Sequence, residues 1–151
     1  MTLEELEKTL PNGLHDAEVM RIAIDYELRT VTLELAVWVG NMDDSPERRE
    51  AYRHASLEIT GLCFLIMEPP DSKYPFQHSG LKIDGCDVSK NLKHELLSAL
   101  PADSFFRSLW VNEWNAFIHL AARDAKISWT EGAIIHRTSQ KPIANGQKPV
   151  L

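Results

Sequence analysis

The sequence predicts a mainly β protein of the α+β class, built as an antiparallel curved sheet or partial barrel of about six or seven strands with two short helices. Three observations support this prediction. Apolar and polar residues alternate at period two, most clearly over residues 30–39. Leucines at helical spacing are confined to two short stretches. The 151 residues are 44% hydrophobic, which is enough for one core. We expect a single globular domain over residues 1–136 and a flexible C-terminal tail over 137–151.

The first elements are a short helix and a hairpin. Thr2 and Glu5 have the spacing of a capping box, and leucines recur on one helical face until a Pro-Asn-Gly sequence ends the helix. Residues 15–25 and 30–39 then alternate as strands and are joined by a tight link. They predict an antiparallel hairpin.

The middle of the chain predicts a long bent strand. Residues 41–49 form a polar loop with a helical turn at its end, and residues 52–68 follow as a strand that bends at Gly61. The second half of this strand, residues 62–67, is apolar on both faces. We therefore expect a second layer to bury it on both sides.

The remaining elements are shorter. After a loop over residues 69–80, residues 81–83 predict a strand, and leucines between Ser89 and Pro101 predict a second helix that covers the two-sided strand.

Two further strands are predicted near the C-terminal end. Residues 105–114 and 116–129 are β-prone, with a turn at Asn115 and a bulge near Arg123.

Composition excludes several classes of function. The net charge is -6, and the basic residues form no patch that would hold a phosphate backbone, so we expect no nucleic-acid partner. No apolar run approaches the roughly 20 residues that cross a bilayer, and the acidic start is unlike a secretory signal. We expect a cytoplasmic protein with no membrane partner.

No cofactor motif is present in the sequence. It contains no phosphate-binding glycine loop, nucleophile elbow, zinc-protease motif or dinucleotide fingerprint. Cys63 and Cys86 lack the paired spacing of a zinc site, so we expect reduced thiols, no cysteine-bound metal and no cofactor.

Two carboxylates on the first strand are candidates for acid-base chemistry. Asp16 and Glu18 share the face of the later apolar residues of this strand, so both could point inward, where burial alters proton affinity. A bulge near Met20 would instead turn Ala17 and Val19 inward and leave both acids in water. We favour this solvated arrangement, because bulges are common at sheet edges.

Two histidines complete that candidate site. His119 has apolar neighbours, which favours a neutral, hydrogen-bonded core histidine. If the last strand pairs with the first, His119 could join His15 and Asp16 in a set that binds a divalent metal. The candidate catalytic residues are therefore His15, Asp16, Glu18 and His119.

An aromatic row offers a candidate binding surface. At period two, Trp110, Asn112 and Trp114 share one face of a strand and Glu113 lies on the other. Such a row can line a binding groove, although tryptophans also pack in cores. The candidate binding residues are Trp110, Asn112, Glu113, Trp114 and Asn115.

Two segments carry a resemblance. The sequence Leu-His-Asp-Ala-Glu-Val at 14–19 and the sequence Trp-Val-Asn-Glu-Trp-Asn at 110–115 resemble small, mostly uncharacterised bacterial β-rich proteins, some of which are grouped with the immunity proteins of polymorphic toxin systems. The resemblance implies a small, acidic binding protein.

Three functions remain open, in this order. The first is a non-catalytic protein-binding module, of which an immunity protein is one kind. The second is a small metal-dependent or acid-base enzyme that uses His15, Asp16, Glu18 and His119. The third is a homodimeric structural protein whose aromatic strand forms the subunit interface.

Overall fold

A computed structural model describes residues 1–73, 80–86, 92–130 and 132–137 of the chain. Within them it has nine strands, all paired antiparallel, three short helices and one 3-10 turn. In chain order the elements are α1 (Leu3–Glu7), β1 (Ala17–Asp25), β2 (Thr30–Trp38), α2 (Pro46–Arg49), β3 (Ala51–Thr60), β4 (Phe64–Met67), β5 (Leu81–Cys86), α3 (His94–Ser98), β6 (Phe105–Val111), the 3-10 turn (Asn112–Trp114), β7 (Ala116–Ala122), β8 (Asp124–Trp129) and β9 (Ile135–His136).

The strands form one curved sheet in the order β4-β7-β6-β5-β1-β2-β3-β8, and β9 pairs with β3 outside this path. The path is open, with β4 and β8 at its ends. However, β4 continues from β3, β8 continues from β7, and these two bent strands pair along both halves. The ends of the sheet therefore meet at one corner. The predicted mainly antiparallel, curved architecture is confirmed, and the strand number exceeds six or seven because each bent strand counts as two.

The corner requires a glycine. Gly61 has a φ of 63°, and a Cβ atom placed on it would lie 2.9 Å from the Cβ of Arg123. The Arg123 backbone N–H donates to the Thr60 carbonyl at 3.1 Å, which joins the two bends. The predicted breaks at Gly61 and near Arg123 are both confirmed.

The N-terminal helix α1 covers the interior of the sheet. Thr2 and Glu5 form the predicted capping box, and Leu3 and Leu6 are buried. The helix packs against β6 and β8, and an ion pair joins its Glu7 to Arg107 of β6. The buried leucines of α1 extend the hydrophobic core that the inward-facing residues of the strands form.

Two predictions about the second layer are wrong. β4 is not buried on both sides, because no second layer of described residues covers it and its Ile66 and Met67 are exposed. The helix predicted between Ser89 and Pro101 is described as α3, and none of its residues is buried. It therefore does not act as the predicted cover.

The predicted C-terminal tail is described only at its first residue. The Arg137 backbone N–H donates to the Glu50 carbonyl at 2.9 Å, directly after β9 pairs with the start of β3. Residues 138–151 lie outside the described residues, as does part of the predicted loop at 74–79. Among the described residues, no helix has the length and apolar character needed to span a bilayer.

Candidate functional site

The first strand contains the bulge that decides which way its carboxylates point. The register of β1 against β2 shifts between Val19 and Arg21. Ala17 and Val19 consequently face the core and are buried. The predicted alternative with a bulge near Met20 is therefore confirmed for the side-chain directions of Ala17 and Val19.

A tight turn before β1 presents two of the candidate residues. The Ala17 N–H donates to the Leu14 carbonyl at 3.1 Å, so His15 and Asp16 are the central residues of the turn. Asp16 has a φ of 58°, a left-handed conformation that aspartate tolerates better than most residues. Leu14 is buried and anchors the turn to the core.

Strand pairing brings a third polar side chain to this turn. Ala17 pairs with Ile83 of β5, and the Asp16 N–H donates to the Ile83 carbonyl at 2.8 Å. Because the strands are antiparallel, Asp84 comes to lie beside Asp16. His15 then stands between the two aspartates, with Nε2 3.6 Å from Asp16 Oδ2 and Nδ1 3.4 Å from Asp84 Oδ1. We call His15, Asp16 and Asp84 the histidine cluster.

Glu18 does not lie in water as the solvated arrangement predicts. It is only 6% exposed, and its two carboxylate oxygens each lie 2.5 Å from the Arg137 guanidinium. Arg137 covers this carboxylate and also lies over the ring of Tyr52, which belongs to a second apolar cluster with Trp38 and Ala36, the residue that pairs with Glu18 across the hairpin. The Glu18 side chain therefore points away from the main core, as a bulge near Met20 predicts, but it is not exposed to solvent.

The charge at this end of the molecule acts on Tyr52. Burial, followed by the nearby carboxylates of Glu50, Asp16 and Glu18, raises the pKa of the Tyr52 phenol to about 12, and Arg137 partly opposes them. The Arg137 guanidinium also lies over the Tyr52 ring, 5.4 Å from its centre. Burial is the largest of these causes, and the three carboxylates add a negative potential beside the histidine cluster.

His119 lies in a different place from the other three candidate catalytic residues. In the sheet, β6 and β5 separate its strand β7 from β1, so the last strands do not pair with the first and the set of His119 with His15 and Asp16 does not form. The prediction that these residues converge is wrong. The cause is the corner, which pairs β8 with β3.

The surroundings of His119 confirm a hydrogen-bonded core histidine. It is 1% exposed, and its ring stacks on Phe106 and Phe117. Nδ1 lies 2.7 Å from Ser108 Oγ and Nε2 lies 3.2 Å from Glu68 Oε2, so both ring nitrogens are satisfied. Ser108 is buried as well.

The aromatic row does not form as predicted. The strand ends at Val111, and Asn112–Trp114 is a 3-10 turn, so the period-two alternation stops there. Trp110 packs on Phe117 with 4.8 Å between ring centres, and Trp114 packs against the core. The two indoles are half-buried and do not share one strand face.

The polar members of that segment make local contacts. The Glu113 carboxylate accepts the Lys82 backbone N–H at 2.8 Å. Asn115 adopts a left-handed conformation, which confirms the predicted turn, and its amide donates to Asp71 at 3.1 Å. Asn112 is exposed. A role of these residues in binding stays a prediction.

Exposed apolar side chains lie at the tip of the β1–β2 hairpin. Tyr26 is 74% exposed and Leu28 is 71% exposed. Hydrogen bonds fix the base of this turn. The Arg29 guanidinium donates to the Leu62 carbonyl at 2.7 and 2.9 Å, and the Leu62 N–H donates to the Arg29 carbonyl. We call Tyr26 and Leu28 the hairpin tip.

Four residues of these sites are absent from the candidates derived from sequence. Asp84, Arg137 and Glu68 reach their partners through strand pairing between segments far apart in the chain. Ser108 lies opposite His119 on the neighbouring strand, eleven positions away. A sequence pattern could have suggested Ser108 alone, because it lies two residues before Trp110 on the same predicted strand face.

Comparison with known proteins adds little to this geometry. No protein-family model and no curated protein matches the chain. Among solved structures, the chain is similar to an uncharacterized protein from Neisseria gonorrhoeae over 75% of this chain and 90% of that one, with 10% sequence identity and a TM-score of 0.35. A similarity at that level carries no argument, so function is inferred from the contacts described above.

Proposed function

We propose that the chain is a non-catalytic protein-binding module of the cytoplasm, as the immunity proteins that two of its segments resemble are, and that the hairpin tip is its main contact surface. The exposure of Tyr26 and Leu28 carries this proposal. A tyrosine and a leucine on a turn held by Arg29 present apolar area that costs little conformational entropy to bind.

The charge beside the tip indicates the partner. Asp25 and Glu27 flank Tyr26 and are exposed, and the whole chain has a net charge of -6. We therefore propose a protein partner with an apolar pocket and a basic rim. Opposite charges of this kind accelerate association and weaken it at high salt.

The positions of the candidate catalytic residues support a non-catalytic role. General acid-base chemistry needs groups that converge on one reacting atom. His119 is enclosed between two phenylalanine rings with both nitrogens occupied, and β5 and β6 separate its strand from that of Glu18.

A comparison of surface variants tests the proposal. The chain and its Tyr26→Ser and Leu28→Ser variants would be immobilised and exposed to extracts of the cells that encode it, with Met42→Ser as the matched control because Met42 is an exposed apolar residue outside the tip. We expect one basic protein to be retained by the wild type and the control and lost from both tip variants.

Two results would contradict the proposal. If the same proteins are retained by wild type and tip variants, the tip is not a contact surface. If light scattering shows a dimer that Tyr26→Ser dissociates, the tip instead joins two copies of the chain. Where a neighbouring gene encodes a toxin, protection during co-expression should fall with the tip variants and persist with Met42→Ser.

A further inference from the structure

The histidine cluster has an arrangement that a neutral imidazole cannot satisfy. A neutral imidazole has one N–H donor and one nitrogen with a lone pair. Both ring nitrogens of His15 face a carboxylate oxygen, one from Asp16 and one from Asp84. One nitrogen therefore directs its lone pair at an oxygen that can only accept. A metal ion placed between that nitrogen and the carboxylate oxygen would convert this repulsion into attraction.

Both distances in the histidine cluster exceed those of hydrogen bonds, and one of them fits two ligands of a shared metal ion. The two N···O separations are 3.4 and 3.6 Å, longer than the 2.7–3.2 Å typical of a hydrogen bond. Two ligands at about 2.1 Å from a tetrahedral ion are separated by roughly 3.4 Å, which matches the pair of His15 Nδ1 and Asp84 Oδ1. The other ring nitrogen, Nε2, points away from that position, so the Asp16 carboxylate has to move towards the Nδ1 side of the ring to join the ion. One ligand atom from each of the three residues lies within 4.8 Å of the others, so a small side-chain movement completes the set.

We propose that His15, Asp16 and Asp84 bind a divalent transition metal, with Zn²⁺ as the best-matched ion. One imidazole nitrogen and two carboxylate oxygens suit zinc or manganese, because calcium and magnesium prefer sites made of oxygen alone.

The surrounding structure holds these ligands in place. Asp16 is fixed by its backbone hydrogen bond to Ile83, and Asp84 follows Ile83 directly in β5. The His15 ring meets the buried Trp38 ring edge-on, with 6.5 Å between centres. Ligands on a paired strand and a closed turn are more precisely placed than ligands on a free loop. Three protein ligands leave at least one coordination position for water or for a ligand from another molecule.

This site is independent of the hairpin tip. The cluster precedes β1 and the tip follows it, so the two lie at opposite ends of the same strand. Loss of metal binding would leave the proposed function untouched, and loss of partner binding at the tip would leave the metal site untouched.

Calorimetric titration of the full chain with ZnCl₂ tests the proposal. We expect one zinc ion per chain, bound at least about tenfold more weakly by His15→Ala and Asp84→Asn and unchanged in His94→Ala, which removes an exposed histidine of α3. Asp16→Asn should also weaken binding, and asparagine tolerates the left-handed backbone there. Equal affinities for wild type and His15→Ala would overturn the site.

A second measurement locates the ion without relying on affinity. Paramagnetic Mn²⁺ should broaden the indole N–H signal of Trp38 before that of Trp129, because Trp38 lies beside His15 and Trp129 lies on β8, beyond β2 and β3. In Asp84→Asn this selective broadening should disappear. Equal broadening of both signals would contradict the proposed position.

Discussion

His15, which lies between two carboxylates, and His119, which contacts one carboxylate and one hydroxyl, differ in nearly every physical respect. The side chain of His15 is 52% exposed and its carboxylates lie beyond hydrogen-bonding distance, whereas His119 is 1% exposed with both nitrogens bonded. Residue type alone would assign both to chemistry. A buried histidine with both nitrogens bonded contributes to the stability of the fold, whereas an exposed histidine with unfavourable partners is available to a ligand.

The largest expected effect comes from removing each histidine in turn. His119→Ala should lower the free energy of unfolding by about 3 kcal/mol, because it opens a cavity and leaves buried Ser108 without its partner. His15→Ala should change it by less than about 0.5 kcal/mol. Urea unfolding monitored by circular dichroism measures both.

A milder substitution tests the same hydrogen bond in case the His119→Ala variant does not fold. Ser108→Ala removes one hydrogen bond and should cost about 1 kcal/mol. If His15→Ala destabilises the chain as much as His119→Ala does, the distinction between the two histidines is wrong.

An intermediate effect is expected at Arg137, which neutralises the buried Glu18. Arg137→Ala should lower the free energy of unfolding by roughly 1–2 kcal/mol, less than for a fully buried pair because the arginine side chain is 46% exposed. Arg123→Ala is the matched control, since its exposed pair with Asp103 should contribute little. Equal losses in the two variants would show that Glu18 needs no counter-charge.

The smallest effect concerns the titration of Tyr52, which senses the potential near His15. Its pKa of about 12 in the fold exceeds the ordinary value of about 10, so the folded state favours the neutral phenol. This contribution to stability is fully present below about pH 10 and is lost as pH rises towards 12. Tyrosinate absorbance should therefore show a late step that Tyr52→Phe removes.

The charge near His15 can be varied in the same titration. Asp16→Asn should move the late step to lower pH, because it removes a carboxylate that raises the Tyr52 pKa. An unchanged step in this variant would show that the Asp16 carboxylate does not act on the Tyr52 phenol.

Local patterns predicted much of the architecture. The capping box at Thr2 and the bend at Gly61 are set by neighbouring residues, so they could be read from the sequence. The β1–β2 hairpin and the turn at Asn115 depend on equally local signals. The structure has more strands than the six or seven predicted, because each bent strand is counted as two.

The site could be predicted only in part. His15 and Asp16 were identified as candidates, but Asp84 joins them through the pairing of β1 with β5, which no local pattern encodes. Glu18 was misjudged because its cover comes from Arg137, more than a hundred positions later. The alternation through Trp114 failed where the chain left the strand for a 3-10 turn.

The corner at Gly61 and Arg123 has a consequence for how the chain folds. It joins β3 to β8 and β4 to β7, segments from opposite halves of the sequence, so it forms only after most of the chain has been synthesised. Such distant pairings carry a high entropic cost of loop closure and slow the search for the native state. The β1–β2 hairpin, whose contacts are local, is therefore expected to form first and to provide the edge on which the later strands assemble.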